Sequence, residues 1–343
     1  MRENQNPLYE TLACPTCKTG IDTVENGLYC RDCDTLYQNG PILSLFPIVK
    51  DPRSFGRSFL GFSDMTCGKV VVSSTSIKKL LETGMNKDIR GADFIIDLVY
   101  RENSKDGKLD PNLVSDVVKC LEEISIRCSS VIEPENRPFL NKAATLGRYE
   151  GELRAGSYIG GFVTPDEFLA ILPKGARYLE VGMGPGDNLR KIKSAKSPLI
   201  MVGSDLSSSM VKRAIANFDQ NSTLFLQADA EYGPFKTGAF DVGMIYNALD
   251  RIPQTTLALE ELARVCGEYV VIGNCIPFQN RKQVRGGFEI VYVPEDQAVE
   301  SIEQAMDKTG FKLQKISGPF PWNIKTIMDG EETLDVVVGL GKR

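Results

Sequence analysis

The 343-residue sequence contains no histidine. That absence excludes a Ser-His-Asp triad, a Cys-His nucleophilic pair and any imidazole-ligated zinc. A general base in this chain must therefore be a carboxylate, Tyr, Lys, Cys, a backbone group or water. The usual side-chain switch near neutral pH is missing too. Long apolar runs are also lacking. The greasiest early stretch, Pro41 to Val49, is broken by Pro47, and a membrane span needs roughly 20 apolar residues. The opening MRENQNPLYE is polar and does not read as a signal peptide. A cytoplasmic protein with no membrane partner is the expectation. Positive charge is in slight deficit, with 40 Lys and Arg against 45 Asp and Glu and an isoelectric point near 5.2. A broad basic nucleic-acid platform is disfavoured, although a local basic patch is not.

What is present is ordinary for a soluble globular chain: 42% hydrophobic and 25% charged residues. The length suits two or three domains. Three zones are expected: residues 1–48, cysteine-rich; 49–158, irregular and then helical, a substrate or lid region; and 159–343, where strand and helix patterns alternate. In the middle zone, Asp110 can cap a helix with Pro111 at its first position. Leu113, Val114, Val117, Val118, Leu121 and Ile124 then recur at spacings of three and four. Further helices are expected near 92–101 and 76–81. The third zone predicts strands at 177–181, 198–203, 223–227, 240–246, 269–272, 311–316 and 334–340. Helices at 207–218, 255–265 and 296–308 alternate with them. This is the pattern of an α/β fold with a mostly parallel sheet covered on both faces.

Cys14-Pro-Thr-Cys17 and Cys30-Arg-Asp-Cys33 are two CxxC pairs separated by twelve residues. Each pair can present two thiolates from one tight turn. Four sulfurs close a tetrahedron and leave no open position, so a structural zinc is expected, not a catalytic one. Disulfides and a redox CxxC are the alternatives. The segment Leu28 to Leu43, with Tyr37 and Asn39-Gly-Pro-Ile-Leu43, resembles the zinc-ribbon module found on some methyltransferases and on the small activator subunit of certain RNA and protein methyltransferases.

Glu180-Val-Gly182-Met-Gly184-Pro-Gly186-Asp187 follows one predicted strand and precedes a helix. Glycines there let the backbone pass close to a ligand at the carboxyl edge of a sheet. A dinucleotide fingerprint would place a glycine where Asp187 stands, so a dehydrogenase is disfavoured. Asp205 ends the second strand, where a carboxylate can accept both hydroxyls of a ribose. Leu206 and Ser207 to Met210 then open a helix. Asp229-Ala230 end the third strand, and the fourth runs from Phe240 to Tyr246, with Asn247 following.

This ordered set resembles the Rossmann-like S-adenosylmethionine-dependent methyltransferases, from about Tyr158 to the end of the chain. The resemblance implies a seven-stranded, mostly parallel sheet. It implies a donor site formed by Glu180, Gly182, Gly184, Gly186, Asp205, Leu206, Met210, Asp229, Ala230 and Asn247. Asp205 would hold the ribose, and Asp229-Ala230 would contact the adenine. Many members carry a histidine pair after the fourth strand; here Asp250-Arg251 stand instead. That departure leaves the catalytic roles open: Asp250 is the first candidate base, then Tyr246, Tyr158 or Glu150, and a structural ion pair is the alternative reading of Asp250 and Arg251. Residues 274–296, with Arg281, Lys282 and Arg285, are expected to form a substrate loop. The expected reaction is methyl transfer to an O, N or C atom of a small-molecule acceptor. RNA is the alternative partner, since a ribbon ahead of this fold resembles enzymes that methylate a ribosomal guanine, although residues 14–46 carry only Lys18 and Arg31 as cations. A donor-binding regulator without turnover is a further alternative, and a homodimer is admitted.

Overall fold

A computed structural model describes residues 8–38, 40–46, 65–67, 70–72, 76–80, 89–104, 110, 113, 116–117, 119–120, 142–143, 145–147, 150–151, 161–218, 223–276, 278–284, 287–293, 295–326 and 330–343. Its strands are β1 (Asp22–Val24), β2 (Gly27–Cys30), β3 (Thr35–Gln38), β4 (Leu43–Leu45), β5 (Met65–Cys67), β6 (Val70–Val72), β7 (Arg177–Val181), β8 (Ile200–Asp205), β9 (Thr223–Ala228), β10 (Phe240–Tyr246), β11 (Cys266–Ile276), β12 (Phe278–Val284), β13 (Gly287–Val293), β14 (Lys312–Thr326) and β15 (Gly330–Lys342). The helices are α1 (Ile89–Glu102), α2 (Asp166–Leu169), α3 (Asp187–Lys196), α4 (Ser208–Asn217), α5 (Thr255–Val265) and α6 (Glu295–Thr309).

The main sheet has the order β14-β15-β11-β10-β7-β8-β9-β4. Neighbours from β11 to β4 pair in parallel, and β15 runs antiparallel to both β11 and β14. The fold class is thus the expected Rossmann-like α/β sheet, with one strand more than the seven predicted. The eighth, β4, comes from the cysteine-rich N-terminal segment and pairs with β9.

Side chains alternate across the sheet, as the period of two requires. Tyr178, Met201, Phe225, Val242 and Met244 face Phe168, Leu189, Ile192, Val211 and Ala214 on α2, α3 and α4. Leu179, Val202, Leu226 and Ile245 face Leu259 and Leu262 of α5, Ile302 and Met306 of α6, and Leu12, Cys14, Leu28 and Tyr37 of the N-terminal module. That second face explains why the module is there. The crossover from β9 to β10, residues 229–239, contains only the 3-10 turn Ala230–Tyr232. A parallel crossover usually brings a helix to cover the sheet. Here the module takes that place. Ala13 N donates to Pro234 O at 2.8 Å, Lys236 N donates to Thr11 O at 2.9 Å, and Leu12 bridges Phe235. Lys18 Nζ reaches Glu261 of α5 at 2.7 Å.

Residues 274–296, expected as a loop, contain the end of β11 and the antiparallel hairpin β12–β13. Among the described residues, no helix is long and apolar enough to cross a membrane.

Candidate active site

The carboxyl ends of β7, β8, β9 and β10 converge on one edge, where a parallel sheet presents its ligands. β7 runs into the glycine loop. Gly182, Gly184 and Gly186 all take left-handed backbone, with φ of 69°, 54° and 84°. A side chain at Gly182 would strike Ala248 at 2.9 Å, and one at Gly186 would strike Phe218 at the same distance. Gly182 and Gly186 are therefore required twice, by conformation and by space, and Gly184 by conformation. Gly182 N and Met183 N donate to Ser204 O at 2.8 and 3.1 Å, which fastens the loop to β8.

Asp205 ends β8 and faces this loop. Its Oδ2 accepts from Gly184 N and its Oδ1 from Ser207 N, both at 2.9 Å. Burial, aided by the charge of Glu150, pushes its carboxyl up to about 6. Glu180, at the end of β7, is buried. Its Oε1 accepts from Asn188 Nδ2 at 3.2 Å, while Oε2 has no hydrogen-bond partner among the described residues. Burial pushes this carboxyl well above the usual range.

Beneath the loop runs a buried polar chain that the sequence did not announce. Thr164 donates both its backbone N–H and its hydroxyl to Asn188 Oδ1, each at 2.8 Å. The Thr164 hydroxyl proton is thereby used, so Tyr246 is the donor in its 2.9 Å contact with Thr164. The Tyr246 ring packs on Phe162, with centroids 5.5 Å apart. It lies so close to Gly273 that a Cβ there would sit 2.3 Å from the ring. Burial raises the Tyr246 phenol above its usual value. A phenol held neutral and donating to Thr164 is built to fix the end of β10, which disfavours the base role expected from sequence.

The other predicted residues fall as follows. Asn247 follows β10 in left-handed backbone, φ 48°, and its N–H donates to Gly273 O at 2.8 Å. Leu206 is half-buried beside Asp205, and its carbonyl accepts from Gln227. Met210 is buried within α4, its N–H capped by the Ser207 hydroxyl at 3.1 Å. Asp229 and Ala230 stand at the end of β9, with Asp229 buried and paired to Lys142 at 2.6 Å. Asp250 lies in the 3-10 turn Leu249–Arg251; its side chain, like those of Arg281 and Lys282, lies outside the described residues, as do Tyr158 and Arg285 entirely.

Glu150, offered by sequence as a candidate base, is instead a cap on α4. It is buried and accepts from Ser207 Oγ at 2.7 Å, from Ser209 N at 3.2 Å and from the Ser209 hydroxyl. Asp93 of α1 approaches Gln227 Nε2 at 3.4 Å. Burial, with Glu150 nearby, pushes the Asp93 carboxyl up to about 6. Gln227 ties three segments together: it accepts from Ser44 Oγ of β4 at 2.9 Å and donates to Leu206 O and Asp93. Thr164, Asn188, Gln227 and Lys142 carry no spacing signal; they are found only where folding brings distant segments together.

In the N-terminal module, the sulfurs of Cys14, Cys17, Cys30 and Cys33 all lie within 4.8 Å of one another. Cys14 and Cys33 are 3.8 Å apart, and Cys17 and Cys30 3.5 Å. A tetrahedron with Zn–S bonds of about 2.3 Å has edges of about 3.8 Å. The donor set, four thiols and no oxygen, suits zinc. The residue after each pair, Lys18 and Asp34, takes left-handed backbone, φ 63° and 51°, so the two knuckles have the same shape.

Residues 179–268 match the family model described as a methyltransferase domain. No curated protein matches the chain. Among solved structures, the chain is similar to a methyltransferase from Haloferax volcanii in complex with the Trm112 methyltransferase activator: 18% identity, 52% of this chain, 86% of that one, TM-score 0.40. An S-adenosylmethionine-dependent methyltransferase from Mesorhizobium loti matches at 15% identity over 52% of this chain and 96% of its own, TM-score 0.38. Another from Aquifex aeolicus matches at 15% identity over 68% of this chain and 99% of its own, TM-score 0.38. Residues 179–268 thus match a methyltransferase domain, set in a Rossmann-like α/β sheet and joined to an N-terminal four-cysteine module.

Proposed function

We propose that the protein transfers a methyl group from S-adenosylmethionine to a small-molecule acceptor and that zinc holds its N-terminal module. The observation that carries the donor reading is the glycine loop facing Asp205. Left-handed glycines open a cradle at the end of β7, and Asp205 is fixed by two backbone N–H groups with lone pairs left for ribose hydroxyls. The unpartnered Glu180 Oε2 supports the same reading, since a buried carboxylate oxygen calls for a donor group.

When bound, the sulfonium supplies an already activated methyl carbon. The chain's own contribution is then to bind, orient and exclude water. Gly182 to Gly186 would line the methionine end. Asp205 would hold the ribose. Asp229 and Ala230 would meet the adenine. Burial and, after it, the charges of Asp205 and Asp187 raise the Glu180 carboxyl, and these acidic surroundings suit a cationic donor. The Tyr246–Thr164–Asn188–Glu180 chain keeps the ends of β10 and β7 in fixed relation. Asp250, which follows β10 in sequence, would take a proton where the acceptor must lose one.

The small-molecule reading rests on the cysteine module. The two cations of residues 14–46 both meet carboxylates: Lys18 pairs with Glu261 at 2.7 Å and Arg31 with Asp22 at 2.6 Å. The module's apolar side is built into the sheet core, which supports a structural role over a phosphate-reading one. The hairpin β12–β13 continues from β11 and would form the acceptor wall.

The test is transfer of labelled methyl from S-adenosylmethionine into host extract, separated into small-molecule, protein and RNA fractions. Label among small molecules is expected. Label confined to RNA would overturn the acceptor reading, and no transfer with intact donor binding would favour a non-catalytic regulator.

A further inference from the structure

One buried charge has no place in the function proposed so far. Lys142 belongs to the middle region, nearly ninety residues from its partners in sequence. Its ammonium lies 2.6 Å from Asp229 Oδ2 and 2.5 Å from Glu231 Oε2, and the three side chains are 7%, 7% and 0% exposed. The Tyr232 ring lies 5.5 Å away. Glu231 is in turn clamped by Gln254, whose backbone N–H and side-chain amide donate to Oε1 and Oε2 at 3.0 and 3.1 Å. Asp229 Oδ1 accepts from Glu231 N at 3.1 Å. The ammonium thus bridges two buried carboxylates, and removing it would leave both without their counter-charge.

We propose that Lys142 is a positioning residue of the donor pocket: it holds the Asp229 carboxylate in one orientation so that it can accept from the exocyclic amine of the donor's adenine. This rests on the reading of Asp229 as an adenine contact. The chemistry follows from counting lone pairs. Each Asp229 oxygen already accepts one hydrogen bond, Oδ2 from Lys142 and Oδ1 from Glu231 N, and each retains capacity for another. Lys142 fixes the Asp229 carboxylate from a segment outside the sheet, and so takes part in donor recognition through Asp229.

The experiment is titration of the full chain with S-adenosylhomocysteine, which shares the adenosine and undergoes no transfer. Four proteins are compared: wild type, Lys142→Met, Asp229→Asn and the double variant. Lys142→Gln replaces Lys142→Met in the set should the latter fail to fold, and Lys142→Arg tests rescue. Asp229→Asn is expected to weaken binding at least tenfold, and Lys142→Met by a similar factor. The double variant should bind no more weakly than Asp229→Asn alone, and Lys142→Arg should stay within about threefold of wild type. Wild-type affinity in Lys142→Met, beside weakened Asp229→Asn, would overturn the role of Lys142 and leave the adenine contact standing. Additive losses in the double variant would show that Lys142 acts on general stability, again against the proposal. Unchanged affinity in Asp229→Asn would remove the adenine reading, and the proposal with it.

Discussion

The cysteine module and the glycine loop both turn their backbones through left-handed residues, yet they finish differently. In the module, Lys18 and Asp34 complete two matching knuckles. The side chains they orient meet each other: four sulfurs converge, Tyr37 OH contacts Cys14 and the Thr19 hydroxyl contacts Cys17. In the loop, Gly182, Gly184 and Gly186 bend the chain away from itself. Among the described residues they leave a buried Glu180 oxygen without a partner and Asp205 with capacity to accept more. In the function proposed above, the site closed on itself has a structural task and the site left open at the end of a strand has a ligand to meet.

The comparison breaks first at the module. Cys30→Ser, or treatment with a chelator, should release one zinc per chain. It should lower stability by about 5 kcal/mol or more, given that structural zinc contributes roughly 10–16 kcal/mol in isolated fingers. Because Leu12, Leu28 and Tyr37 cover the β9 crossover, the loss should appear in the melting of the whole protein. Independent melting of an intact methyltransferase domain would show that the module is an appendage. Next comes the support beneath the open site. Thr164→Val strands the Tyr246 hydroxyl and part of Asn188, and should cost about 2 kcal/mol in denaturant unfolding. Donor affinity should fall with it; unchanged stability would mean that the buried chain does not hold the site. Gly186→Ala forces a side chain into φ 84° against Phe218 and should cost about 1–2 kcal/mol. Calorimetry should show weakened donor binding as well.

The smallest effect concerns pH. Asp205 is held at about 6 by burial, with Glu150 adding to the shift; Asp93 is also at about 6, and the remaining contacts to Asp205 are the Gly184, Leu206 and Ser207 amides. These are raised acids. Their contribution to donor-free stability is therefore present below about pH 4 and lost as the pH rises through 6. A ribose needs the ionised carboxylate, so the gain in melting temperature on adding donor should grow from pH 5 to pH 7. Affinity should improve by up to about tenfold over that interval. A gain that shrinks over that interval would place the donor away from Asp205.

The sheet was legible because its strands are bounded by strong signals. Arg177–Val181, Phe240–Tyr246 and the helix Thr255–Val265 fall where apolar runs and turn residues place them. The glycine loop was legible because left-handed turns restrict the residue type. The four cysteines were legible because ligand spacing is local. The eighth strand was not, since Leu43–Leu45 is too short to declare itself before β9 offers an edge. Nor was the hairpin β12–β13, whose mixed charge reads as loop until the two strands pair. Glu150 shows the reverse error: a carboxylate near the site suggests a base, yet only the fold reveals that it caps α4. Long-range polar partners such as Lys142 and Gln227 have no local signature at all.

The most direct test of the open-site reading is calorimetric titration of S-adenosylmethionine into the wild-type chain and into Asp205→Ala, at one pH near 7. One donor per chain is expected for the wild type, with affinity lowered by at least about 1–2 kcal/mol in the variant through loss of the ribose hydrogen bonds. Equal affinity in the two proteins, or no binding to either, would contradict the assignment of the glycine loop and Asp205 as the donor site.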